Sequence, residues 1–158
     1  IEATGADIVA VGKVYGGGIS SAFLGFTGGA EKIALPYVRW TEAHWNDGTR
    51  QRAYIAIQNV GGTDLAAGDV TVTYVDKFGD VVGVHTLGAI PAGAKTNSNA
   101  STIGAAGAEF GAYADGSFGG GAIIQGPAGS QLAVVVRIST NIGGGILTGE
   151  DYNGIPVQ

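Results

Sequence analysis

The chain contains no cysteine and no methionine, only two histidines and four prolines, and charged residues make up just 13% of it. Without thiols there is no thiol nucleophile, no zinc–thiolate site and no disulfide staple. The two residues most open to oxidative damage are both missing, which suits an oxidising setting. Charge at about half the share usual for a globular protein leaves much of the surface uncharged. The eight lysines and arginines are scattered and the net charge is −5. That balance excludes a nucleic-acid partner, because a phosphate backbone calls for clustered bases. Long apolar runs are absent too: Gly, Asp or Lys breaks each one well short of the roughly 18 to 20 residues that a membrane-spanning helix needs.

What is present is glycine, 30 residues of it, within a chain of 158 residues that is 45% hydrophobic. The glycines follow no triplet period, so a collagen-like helix is excluded, and the apolar content excludes ordinary disorder. The length suits one domain over residues 1–158, with enough chain to bury a core unaided. The opening residues Ile1-Glu2-Ala3-Thr4-Gly5 carry no initiator Met, basic region or long apolar stretch. A processed, secreted chain at the cell surface is the expectation.

Short apolar runs bounded by Gly, Pro, Asn or Asp recur along the sequence and predict about nine β-strands. The clearest spans 69–76, where Val70, Val72 and Tyr74 alternate with Thr71 and Thr73. One face of that strand is buried and the other wet. Lys77-Phe78-Gly79-Asp80 then turns the chain into a partner strand over 81–87. Further strands are expected at 33–40, 53–60, 121–125, 131–139 and 146–152. Pro36 lies inside the first of these and marks an edge or a bulge, since proline cannot donate to a ladder. Residues 95–117 read as an irregular loop with one helical turn near 104–110. The fold class is all-β: an antiparallel, Ig-like or jelly-roll-like sandwich with Gly-rich turns.

The two ends of the chain echo each other. Residues 7–15 (Asp-Ile-Val-Ala-Val-Gly-Lys-Val-Tyr) lead to Gly16-Gly17-Gly18-Ile19 and then to Phe23-Leu24-Gly25-Phe26. Residues 131–139 (Gln-Leu-Ala-Val-Val-Val-Arg-Ile-Ser) lead to Gly143-Gly144-Gly145-Ile146 and then to Tyr152-Asn153-Gly154-Ile155. Both follow one order: polar residue, apolar run, base, glycine triplet, then an aromatic two residues before a glycine. Related strand pairs thus flank a different middle.

Catalytic patterns are sparse. His44 and His85 lack ligand spacing, and Ser20 and Ser21 sit in no nucleophile elbow. Glu42, Asp47, Glu109, Glu150 and Asp151 are available for a glycosidase pair, although sequence alone pairs none of them. Glu150-Asp151 and the loops bearing Asp64, Asp69, Asp76 and Asp80 offer oxygens to calcium without an EF-hand or nonapeptide pattern, so no cofactor is expected. The glycine triplets precede no Lys-Ser/Thr and read as turns or close approaches, not phosphate cradles. Tyr37, Trp40 and Trp45 are read first as core or interface packing, with a sugar platform as the alternative. Asn99-Ala100-Ser101 fits the N-glycosylation acceptor pattern.

Ile8-Val9-Ala10-Val11-Gly12-Lys13 and Tyr152-Asn153-Gly154-Ile155 resemble the β-sandwich repeat modules of long secreted bacterial surface proteins, as do residues 53–61 and 70–76 with Phe78-Gly79. The resemblance implies an extracellular, non-enzymatic unit with structural or adhesive work. Here the sequence stops soon after Tyr152-Asn153-Gly154-Ile155 instead of running into another module. The expectation is therefore a subunit that assembles with copies of itself into a filament or surface layer. An apolar strand within residues 1–15, carried by Ile8, Val9, Ala10, Val11, Val14 and Tyr15, is the candidate donor to a neighbour's sheet edge, the equal alternative being that it is the first strand of its own closed sandwich. A carbohydrate-binding or adhesive module is the alternative.

Overall fold

A computed structural model describes residues 4–5, 9–16, 19–41 and 50–157. Ile8, His44, Trp45, Glu42 and Asp47, all singled out above, lie outside the described residues. Thirteen strands are present among the described residues, not nine. They are β1 (Val11–Gly16), β2 (Ile19–Leu24), β3 (Lys32–Val38), β4 (Trp40–Thr41), β5 (Arg50–Asn59), β6 (Thr71–Val75), β7 (Val81–Thr86), β8 (Lys95–Ser98), β9 (Glu109–Phe110), β10 (Gly120–Gln125), β11 (Leu132–Asn141), β12 (Leu147–Asn153) and β13 (Ile155–Pro156). The four additional strands are β4, β8, β9 and β13, each too short or too polar to show a period of two.

The first sheet runs β13-β3-β10-β6-β7 and the second β12-β11-β5-β4-β9, with β8 also on β5; every pairing is antiparallel. Inward residues of both sheets, among them Ile33, Leu35, Val72, Ile57 and Val134, merge into one core. Val70, Val72 and Tyr74 are buried as the alternation requires. The Asp76 carboxylate closes the following turn by accepting from the amides of Phe78 (2.8 Å) and Asp80 (2.9 Å).

Pro36 does mark a bulge. Leu35 pairs with Ala122 and Val38 with Gly120, so Pro36 and Tyr37 together face the single residue Gly121. The extra residue sharpens the local bend. Just beyond, the chain passes through Arg39 into β4, which belongs to the other sheet. The expected strand over 33–40 is thus two strands in two sheets.

The region expected to be a loop holds β8 and a 3₁₀ helix at Ala100–Gly107, broken at Ile103 and Gly104. The helical turns begin earlier than the sequence suggested because Asn99 caps them, its Oδ1 accepting from the Ser101 amide at 3.0 Å. The Ser101 hydroxyl donates to the same oxygen at 2.5 Å. Asn99→Ala should lower stability by about 1 kcal/mol, while Asn99→Asp, which keeps a capping oxygen, should lower it by markedly less; thermal unfolding of the two variants measures the difference.

Candidate functional site

The N-terminal echo is a hairpin lying outside both large sheets. β1 pairs only with β2, from Val11↔Leu24 to Gly16↔Ile19. The C-terminal echo is the β11–β12 hairpin, paired from Val135↔Asn153 to Asn141↔Leu147. Aligned on the repeated motif, the two hairpins share one register: Lys13↔Ala22 matches Arg137↔Asp151, and Gly12↔Phe23 matches Val136↔Tyr152. They also share a closing bond. The Gly25 amide donates to Ala10 O at 2.7 Å, and the Gly154 amide donates to Val134 O at 2.8 Å. The second turn uses its glycine triplet at positive φ (89°, 59° and 80°), conformations that a side chain disfavours.

The hairpins part company in their surroundings. β11 is paired on both edges, by β12 and along its whole length by β5. Among the described residues β1 has a partner on one edge only. Its face with Gly12 and Val14 is half-covered, whereas Val9, Val11 and Tyr15 are 83%, 62% and 79% exposed. Of the expected assembly residues, then, Val9, Val11 and Tyr15 face outward and Val14 faces the rest of the chain.

A polar clasp holds this hairpin to β12. The Asp151 side chain is only 3% exposed. It accepts from Arg137 Nε at 2.9 Å and Nη2 at 3.1 Å, and from the Ser21 hydroxyl. Asn153 Nδ2 donates to Leu24 O at 2.7 Å. Beside the clasp a cavity of about 280 Å³ is lined by Val14, Tyr15, Ser21, Arg137 and Thr148 among others. Burial pushes the Asp151 pKa up, but the bonds from Arg137 and Ser21 and the Arg137 charge outweigh it and leave the carboxyl below its ordinary value. Sequence reading missed this clasp, because the register that sets Arg137 opposite Asp151 is fixed only when β11 and β12 pair.

The remaining candidates are engaged in packing. Trp40 is 6% exposed, edge-on to Tyr54 at 5.4 Å, with the Arg52 guanidinium 4.8 Å from its ring centre. It packs within the core and offers no face to a sugar. Tyr37 is half-buried, and its hydroxyl donates to Gln51 Oε1 at 2.5 Å. Glu150 and Asp151 are neighbours on β12, so they point to opposite faces and form no catalytic pair. Asp64 and Asp69 accept from the Ala92 and Ala66 amides at 2.8 and 2.7 Å. No three His or acidic side chains converge among the described residues.

His85 Nδ1 lies 2.8 Å from Ser98 Oγ, which is 2.7 Å from Tyr74 Oη. The serine is buried, beyond the reach of a substrate carbonyl, and burial pushes the Tyr74 pKa up to about 12. These three groups tie the first sheet to β8 of the second. No helix among the described residues is long and apolar enough to cross a membrane.

The class this geometry defines is an antiparallel all-β domain whose two large sheets share one core, with the β1–β2 hairpin, a counterpart of β11–β12, outside them. A crystal structure of Thermotoga maritima 1070 is similar, with a TM-score of 0.54, 13% identity, and coverage of 82% of this chain and 96% of that one. The likeness is one of fold alone. No family model matches the chain, and no curated protein does.

Proposed function

We propose that this chain is a structural, non-enzymatic subunit of an extracellular filament or surface layer, an Ig-like or jelly-roll-like sandwich joined to its copies by β-strand complementation. One observation carries the reading: among the described residues β1 is a mostly apolar strand with a single partner, set outside the two sheets, with Val9, Val11 and Tyr15 turned to solvent. Unpaired main-chain groups on such an edge template a further strand, and the apolar face rewards its burial. The low charge and the lack of cysteine and methionine suit surfaces packed together in an oxidising setting.

The test is electron microscopy of the native protein beside a chain lacking residues 1–15 and a Val11→Lys/Tyr15→Lys variant that keeps the hairpin. Filaments from the native chain and dispersed monomers from both altered chains are the expected result. Monomers throughout, or filaments from all three, would overturn the reading.

A further inference from the structure

If β1 is donated, some strand edge must receive it, and most edges of this fold are blunted. β13 is two residues long and ends on a proline. Behind it, Pro36 removes a donor from β3, and the Tyr37 carbonyl accepts from the Tyr152 hydroxyl. β12 carries Glu150 and Asp151 and lies beneath β2 through the clasp. β9 has two residues, and β8 has four and opens on Lys95. These are the usual devices that protect a sheet edge: brevity, proline, charge and cover.

β7 is the least protected: its ladder with β6 carries a bulge between Gly83 and Val81, and Ile103 of the 3₁₀ helix lies against Gly83. It ends the first sheet, spans six residues (Val-Val-Gly-Val-His-Thr) without proline, lysine or acid, and exposes Val81 and Val84 by 64% and 50%. Among the described residues no backbone hydrogen bond reaches its outer edge. β1 is also six residues long. The fold thus presents two open, uncharged-to-basic edges of equal length at different places.

We propose that β1 of one subunit pairs with the outer edge of β7 in the next copy; this rests on the reading of the chain as a self-assembling subunit. The duplication supports an unlike partner. β11, the counterpart of β1, receives on its second edge a different strand, β5. Charge points the same way. Lys13 stands where Arg137 does but faces Ala22 in place of a carboxylate. Pairing β1 with another β1 in parallel register, or antiparallel about Lys13, brings two Lys13 side chains together, and like charges across a ladder are unfavourable. β7 holds no lysine or arginine, and the charged residue next to it in the chain is Asp80. A β1–β7 join is heterologous, so each addition leaves one β1 and one β7 open and the contact propagates. The resulting sheet is continuous across subunits, from β2 and β1 of one into β7, β6, β10, β3 and β13 of the next.

The native chain has no cysteine, which makes cross-linking clean. Single variants at Val11, Lys13 or Tyr15 to Cys are mixed with Val84→Cys or Thr86→Cys, with Thr148→Cys on β12 as the competing edge, and the mixtures are assembled and mildly oxidised. Disulfide-linked dimers from β1–β7 mixtures, and a covalent ladder from a chain carrying both cysteines, are expected. Val84→Lys, on an exposed face and judged folded by circular dichroism, should lower polymer yield at least tenfold. Filaments that cross-link only through β12, or only β1 to β1, would overturn the β7 acceptor while leaving self-assembly standing. Absence of any polymer from the cysteine-free parent would instead remove the assembly reading, and this pairing with it.

Discussion

Gly154→Val is expected to lower the melting temperature by roughly 10 °C, whereas Gly25→Val leaves it almost unchanged and frees the N-terminal hairpin instead. The two glycines occupy equivalent positions in the duplicated motif and make the same closing bond, to Val134 O and Ala10 O. Their surroundings set the outcomes apart. A Cβ on Gly154 would fall 2.4 Å from Ile33 Cγ2 and 3.2 Å from both Leu35 Cδ2 and Val134 Cβ. Those side chains are buried in the core shared by both sheets and cannot withdraw. Overpacking of this kind costs about 3 kcal/mol, and in a domain of this size each kcal/mol moves the midpoint by about 2–4 °C. A Cβ on Gly25 would meet Ala10 Cβ at 2.9 Å and Ala10 O at 3.2 Å, both within the outlying hairpin. Its strain is relieved by local opening. Thermal unfolding with amide exchange on the two variants measures the contrast, and equal losses of melting temperature would mean that the hairpin is part of the cooperative core.

Asp151→Ala should raise amide exchange across residues 11–16 and 19–24 by at least tenfold while leaving β5 and β11 protected. Hydrogen bonds to a charged group contribute about 1.5–3 kcal/mol, and the half-exposed Arg137 places the loss toward the lower end of that range. Because the folded carboxyl titrates below its unfolded value, the clasp contributes fully above the ordinary aspartate pKa of about 3.9 and is lost as pH falls through the folded value. Acid should therefore reproduce the substitution, with hairpin exchange rising before the core opens. Exchange at 11–16 that stays slow in both conditions would show that apolar contacts alone seat the hairpin.

Much of this arrangement is legible in the residues. The Val70, Val72, Tyr74 alternation fixes a strand and its buried face, Pro36 marks the bulge, and the repeated glycine triplets with their flanking motifs locate both hairpins. What the sequence concealed has physical causes. Two-residue strands such as β4, β9 and β13 are defined by partners distant in the chain and have no period of their own. Trp40 carries two readings in the sequence, packing or platform, and the crossing between sheets at Arg39 is what turns it inward. The openness of β7 is invisible in its residues, because a central strand and an unprotected edge can share the same valines; only the order of strands tells them apart.

The seam between β11 and β5 also sets the order of events during folding. Leu132 pairs with Asn59 and Asn141 with Arg50, so the central ladder of the second sheet waits on the closing of a very long loop. β1 and β2 are joined by a two-residue connection and need nothing from the rest of the chain to meet. Hairpins of that kind form in microseconds, while ladders between remote segments set the slow rates of all-β chains. The N-terminal hairpin can thus form and re-form throughout the interval in which the edge of β5 stands unfilled, and it is fixed only when β12 arrives with Asp151 and Asn153.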